Sequence, residues 1–263
     1  MDYLNNFMTS PTQKVKKLEI SDDCLKKKKV FIVALCGGQG SGKTKLSKVL
    51  NKNVPRSAII EEKNYYKSNS LKRKLSYDIE PLIEDCVGYS KKRKILLVEL
   101  SDPNSYDYDK LYQHLTDLKE GKAITMKTLN EETGEYLDEQ KTIDPKQASL
   151  IIIEGYFLFR DKKIKDLIDL KIYVEIDDDV RLSRLLLNEN KFLKNNPISI
   201  KNFFMIYKNY IKTAFEQYIA PTKSEGNLFL PNYIVENDDV VDKDETLETL
   251  IVMLNSLVKK KTK

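Results

Sequence analysis

The chain of 263 residues carries 45 Lys and Arg against 40 Asp and Glu, a net charge of +5, and 41% of its residues are hydrophobic. That apolar share suffices for one α/β core, while no apolar run approaches the roughly 20 residues of a membrane span and MDYLNNFMTS offers no apolar signal core. Cys24, Cys36 and Cys86 show no paired or metal-ligand spacing, and the single histidine, His114, excludes serine hydrolase triads and multi-histidine metal centres, so a cytoplasmic protein is expected.

Residues 1–28 are polar and lysine-rich and read as a flexible extension. A domain over residues 29–258 follows, with a basic tail at 259–263. The lysine runs at 26–29, 91–94 and 259–263 have no interleaved aromatic residues, so they read as solvated surface and predict no nucleic-acid partner. The domain opens with a strand over Val30–Cys36, a glycine loop, a helix from Lys43 to about Leu50 and a short strand, SAII, running into EEKNYYK. A helix is expected around Ile79–Tyr89 and another from Tyr108 to Lys119 that stops at Gly121, with His114 on its surface.

AITMKTL and YLDEQKTI around the polar turn NEETGE predict a β-hairpin. SLIIIEG and LKIYVEI are rich in β-branched residues, as suits strands buried on both faces. DDDVRLSRLLLNENKFLK then reads as a helix with acids at its start and lysines at its end. A long helix from Ile198 to Tyr218, a strand at NLFL or YIV and a helix from Asp244 to Val258 complete the order.

GGQGSGKT, Gly37 to Thr44, satisfies G-x-x-x-x-G-K-[ST] between a strand and a helix. Such a loop, here Gly37, Gly38, Gln39, Gly40, Ser41 and Gly42, curls backbone N–H groups around phosphate oxygens. Lys43 is placed to reach the β- and γ-phosphates and Thr44 to ligate Mg²⁺. Glu154, at the end of LIIIEG, is the expected acidic partner for that metal, and Gly155 lets the chain leave the sheet tightly. No guanine-reading N-K-x-D motif or transporter signature follows, which leaves a small-molecule kinase using ATP and Mg²⁺.

Five segments in order resemble the uridine-cytidine kinases of the phosphoribulokinase/uridine kinase family. They are GGQGSGKT; NYYK; SDPNSYDYDKLYQHLTDLKEGKAI; IIIEGYFLF with DLKIYVEIDDDVRLSRLL; and YIKTAFEQYIAPTKSEGNLFLP. The resemblance covers most of Lys29 to Val235. It implies an α/β P-loop fold: a five-stranded, mainly parallel sheet flanked by helices, with a β-hairpin over the nucleoside and a helical lid. It also implies γ-phosphate transfer from ATP to a nucleoside 5′-hydroxyl, a role in pyrimidine salvage and a homo-oligomer. Arg184 would belong to the lid, and Tyr65, Tyr66, Asp102 and Arg181 would lie on the acceptor side.

The acceptor half departs from the family. Lys63 stands where the family has its proton-accepting aspartate, and a lysine ammonium is no base unless its pKa is strongly depressed. Glu62 can replace that aspartate only if the strand end is shifted or bulged, because adjacent strand residues point oppositely. Ser101 and Asp102 replace an aspartate and a histidine, the hairpin lacks the family's pyrimidine-reading residues, and Lys191 and Lys194 are the cations left in the lid segment. Two further readings stand beside a uridine kinase: a nicotinamide riboside kinase-like activity, and a pseudo-kinase that binds nucleotide with little transfer.

Overall fold

The central strand, β1 (Phe31–Cys36), is buried at all six positions. Its alternate residues feed two cores: Phe31, Val33 and Leu35 pack on one face of the sheet, and Ile32, Ala34 and Cys36 on the other. That is the signature of a parallel sheet covered on both sides. The structure is a computed structural model that describes residues 30–67, 96–131, 134–192, 200–232 and 245–261.

After β1 come α1 (Lys43–Asn53), β2 (Ser57–Glu61) and a 3₁₀ turn, Glu62–Tyr65. A second 3₁₀ turn at Pro103–Ser105 leads into α2 (Tyr108–Glu120). The hairpin is β3 (Ile124–Asn130) with β4 (Glu135–Ile143). Then follow β5 (Leu150–Gly155), α3 (Lys162–Leu167), β6 (Leu170–Glu175), α4 (Asp178–Phe192), α5 (Ile200–Ile206), β7 (Leu228–Pro231) and α6 (Glu245–Lys261). Five strands form one sheet in the order β2-β5-β1-β6-β7, and each neighbouring pair in it is parallel.

Local chemistry sets the boundaries. The Asp107 side chain accepts from Lys110 N at 3.0 Å to start α2, Leu111, Leu115 and Leu118 bury one stripe of it, and Gly121 at φ 84° ends it. On the opposite face of the sheet, Leu46 and Leu50 of α1 meet Leu247, Leu250, Leu254 and Leu257 of α6 around Val33 and Leu35. The hairpin forms its own antiparallel pair and docks on the turn after β2, where Leu129 N donates to Asn64 Oδ1 at 3.0 Å.

Several expectations are corrected. Residues 207–219 do not make a regular α-helix: Tyr207–Lys212 and Phe215–Ile219 are π-helical and run into a 3₁₀ turn at Ala220–Glu225. His114 is no free surface side chain. It is half-buried, with Nδ1 2.9 Å from the Tyr65 hydroxyl, and burial, then Lys110, lowers its pKa. The last helix continues to Lys261, so the basic end is helical backbone for three residues beyond Val258. The short α3 lacked any periodic signal because it buries only Ile164. The expected extension at 1–28, the helix at 79–89, the strand alternative YIV and Lys194 lie outside the described residues.

Candidate active site

The parallel sheet delivers the ends of β1, β2, β5 and β6 to one edge, and the sequence-predicted phosphate and metal residues meet there. Gly40 at φ 78° and Gly42 at φ 85° take left-handed conformations that turn the loop back onto α1, which begins at Lys43. Lys43 is buried, and its Nζ donates to Gly37 O at 2.9 Å, Gly38 O at 2.8 Å and Ser41 Oγ at 3.4 Å, while lying 4.3 Å from the centre of the Tyr156 ring. The loop's own oxygens thus hold the ammonium that phosphate oxygens would take over. Burial draws Lys43 down to about 8, opposed by the nearby Glu154 charge.

Beside it, Thr44 Oγ1 donates to the Glu154 carboxylate, 2.7 Å from one oxygen and 3.0 Å from the other. Glu154 is buried. Burial raises its pKa, and Lys43 and the Thr44 hydroxyl oppose the rise. A hydroxyl and a carboxylate facing each other at the mouth of the glycine loop are hard oxygen donors, so the donor set fits Mg²⁺. In the sheet register Glu61 lies opposite Glu154, one strand away.

The residues after β2 resolve the question at Glu62 and Lys63. Because the strand ends at Glu61 and the chain enters a 3₁₀ turn, strand alternation no longer governs Glu62. Its carboxylate swings to the end of β5, where Oε2 accepts from Tyr156 N at 2.6 Å and Phe157 N at 3.2 Å, and Oε1 from the Tyr108 hydroxyl at 3.0 Å. Glu62 is 1% exposed, and burial pushes it up to about 7 against these hydrogen bonds and the Lys43 charge. Gly155 is glycine for this approach as much as for its turn: a Cβ there would lie 2.4 Å from Glu62 Oε2. Lys63 pairs with Glu131 of the hairpin and with Glu61 at 3.3 Å. Burial alone would lower its pKa, but those two acids outweigh it and raise the value, so it stays an ammonium.

The four residues expected on the acceptor side are not gathered around one pocket. Tyr65 and Tyr66 are buried in the core, and their hydroxyls meet His114 and Glu99 respectively. Asp102 accepts from Asn104 N at 2.8 Å and caps a 3₁₀ turn. Arg181 lies on the donor side instead: its guanidinium is 3.7 Å from the Phe215 ring centre, its Nη2 donates to Asp178 Oδ1 at 2.5 Å, and a Cβ on Gly38 would come within 2.2 Å of its Nη1. Its buried Nε has no partner among the described residues. Arg184 also reaches the loop, donating to Asn232 O at 3.1 Å, while Asn232 Nδ2 donates to Ser41 O at 2.7 Å.

Sequence reasoning missed Tyr108 and Tyr156 as parts of this network, and placed Gln39 in the loop without its side-chain partner, Ser101. Gln39 is buried and donates from Nε2 to Ser101 Oγ at 3.0 Å. Next to the site, a cleft of about 310 Å³ is lined by Tyr108, Arg160, Asp161 and Lys162. Nothing in the sequence pairs residues 46 or 62 positions apart; proximity to the motif is the only signal these residues carry.

Residues 32–238 match the model of the Phosphoribulokinase / Uridine kinase family. A uridine kinase of Brevibacillus brevis is 28% identical over 202 residues, covering 76% of this chain and 84% of that protein. A uridine kinase of Staphylococcus aureus is 29% identical over 206 residues, covering 78% and 88%. In fold, the chain is similar to a solved structure from Silicibacter sp. TM1040, described as a candidate fructose transport system kinase. That likeness has a TM-score of 0.55 at 19% identity over 77% of this chain and 90% of that one.

Proposed function

We propose, from the premise that the chain belongs to the phosphoribulokinase/uridine kinase family and is an ATP-dependent kinase that acts on a hydroxyl group, that its acceptor is a nucleoside, phosphorylated at the 5′-hydroxyl, with Mg²⁺ bound at Thr44 and Glu154. The observation that carries the donor half is the contact of Thr44 Oγ1 with both oxygens of Glu154, beside a Lys43 lodged inside the glycine loop. The nucleoside rests on the uridine kinases among the relatives.

In this reading Lys43 and the loop amides exchange their internal contacts for phosphate oxygens, at little cost in reorganisation because the loop is already turned. Held by Thr44 and Glu154, Mg²⁺ would supply charge that neutralises the phosphates. Glu62 takes the proton as the acceptor oxygen bonds to the γ-phosphorus and the bond from that phosphorus to the β-phosphate oxygen breaks, releasing ADP. Arg181, pressed between Phe215 and Gly38, offers its guanidinium to charge spreading over the transferred phosphoryl group, with Arg184 beside the start of α1.

The test is a panel of nucleosides, including uridine, cytidine and nicotinamide riboside, incubated with ATP and Mg²⁺ and read for ADP and phosphorylated product. A nucleoside 5′-monophosphate is the expected product. Tight ATP binding with no turnover of any nucleoside would refute the reading.

A further inference from the structure

We propose that the buried hydrogen bond between Gln39 and Ser101 couples the glycine loop to the wall that positions Glu62, so that nucleotide binding orders Leu96–Tyr106. The inference rests on the glycine loop being the nucleotide site, and extends that reading to how the two halves communicate.

Gln39 sits between two glycines of the loop, yet its side chain is buried rather than solvated. Its Nε2 donates to Ser101 Oγ at 3.0 Å, and Ser101 Oγ in turn donates to Leu97 O at 2.8 Å. A hydroxyl can do both at once, accepting from the loop and donating to Leu97 O.

From Ser101 the connection continues through fixed contacts. Asp102 caps the 3₁₀ turn, and the Tyr106 hydroxyl donates to Leu100 O at 2.8 Å. Lys67 N donates to Ser105 O and Asp107 N to Tyr65 O, each at 2.8 Å, which ties the segment to the residues following Glu62. Glu99 accepts from the Tyr66 hydroxyl. Two residues beyond Tyr106, Tyr108 donates its hydroxyl to Glu62 itself. A displacement of the loop at Gln39 therefore bears, through side chains with little room to yield, on the Glu62 carboxylate.

The measurement is backbone hydrogen exchange by mass spectrometry on the full chain, with and without ATP, in the parent and in Ser101→Ala and Ser101→Thr. In the parent, ATP should slow exchange at residues 37–44 and, by about threefold or more, at residues 96–106. Ser101→Ala should keep the first effect and lose the second, and Ser101→Thr, which retains the hydroxyl, should restore it. A merely structural loosening would speed exchange in both states and leave the ATP ratio intact. ATP slowing 37–44 but not 96–106 in the parent overturns the coupling, as does its persistence in Ser101→Ala. If ATP protects neither stretch, the glycine-loop assignment fails and the coupling with it.

Discussion

Glu62→Gln separates the proton acceptor from the structural acid. Glu62 is buried with a pKa of about 7, so about a tenth of it is ionised at pH 6 and about nine-tenths at pH 8. If the ionised form accepts the proton, kcat/KM should fall about tenfold between pH 8 and pH 6, with a slope of one proton, and Glu62→Gln should abolish that limb and lower kcat/KM at pH 8 by about a hundredfold or more. The substitution is nearly isosteric. The amide oxygen can keep the Tyr156 and Phe157 N–H groups, and the amide nitrogen can donate to the Tyr108 oxygen once that hydroxyl rotates. Stability gives an independent check. The folded-state value lies above the ordinary 4.5, so the folded chain holds this proton more tightly than the unfolded one. That contribution is complete below about pH 4.5 and is lost as pH rises through about 7, a change on the order of 3 kcal/mol, and Glu62→Gln should lack it. Steady-state rates from pH 5.5 to 8.5 and denaturant titrations at about pH 4 and pH 8.5 measure the two. A Glu62→Gln variant within a few-fold of the parent and with its acid limb intact would refute the role of Glu62.

Lys43→Ala should weaken ATP binding by about 10- to 100-fold, the worth of charge-assisted hydrogen bonds to phosphate, as read by titration calorimetry; unchanged affinity would sink the loop assignment. Glu154→Gln should raise the Mg²⁺ concentration needed for half-maximal rate by about tenfold or more, and should leave Mg²⁺-free ADP binding nearly unchanged. Gly155→Ala drives a Cβ to 2.4 Å from Glu62 Oε2, so overpacking should cost about 1–3 kcal/mol. The melting temperature should then fall by several degrees, and the acid limb of the rate profile should shift because Glu62 is displaced.

The donor half of the site was readable because its determinants are local. Gly40, Gly42, Lys43 and Thr44 act through a backbone path of a few residues, and Glu154 is found from the end of an apolar run. The sheet was equally legible, since strands buried on both faces leave continuous β-branched runs. What escaped depends on contacts distant along the chain. Tyr65 and Tyr66 look like acceptor-reading aromatics in sequence, but burial against α2 and Glu99 consumes them. Arg181 reads in sequence as an acceptor-side cation. The π-helical turn at Phe215–Ile219 brings Phe215 over its guanidinium and holds it on the glycine loop, and no periodicity announces a π turn.

The exchange of an acid for Lys63 looks in sequence like the loss of the proton acceptor, and the 3₁₀ turn shows why it need not be. Consecutive side chains on such a turn diverge by about 120° rather than the 180° of a strand, so neighbouring residues of the turn meet different partners. Glu62 faces the end of β5, Lys63 the acids of β2 and the hairpin, Asn64 the backbone of β3, and Tyr65 the side of α2. An acid at the first of these positions lies at the mouth of the phosphate loop without any bulge in β2. A cation at the second position has acids to pair with. Glu61 and Glu131 converge there, with Glu154 near enough for its charge to be felt at Lys63, and the ammonium offsets their mutual repulsion where the hairpin meets the end of β2. Lys63 thus ties the hairpin to the end of β2, and the carboxylate proposed to accept a proton stands one residue earlier.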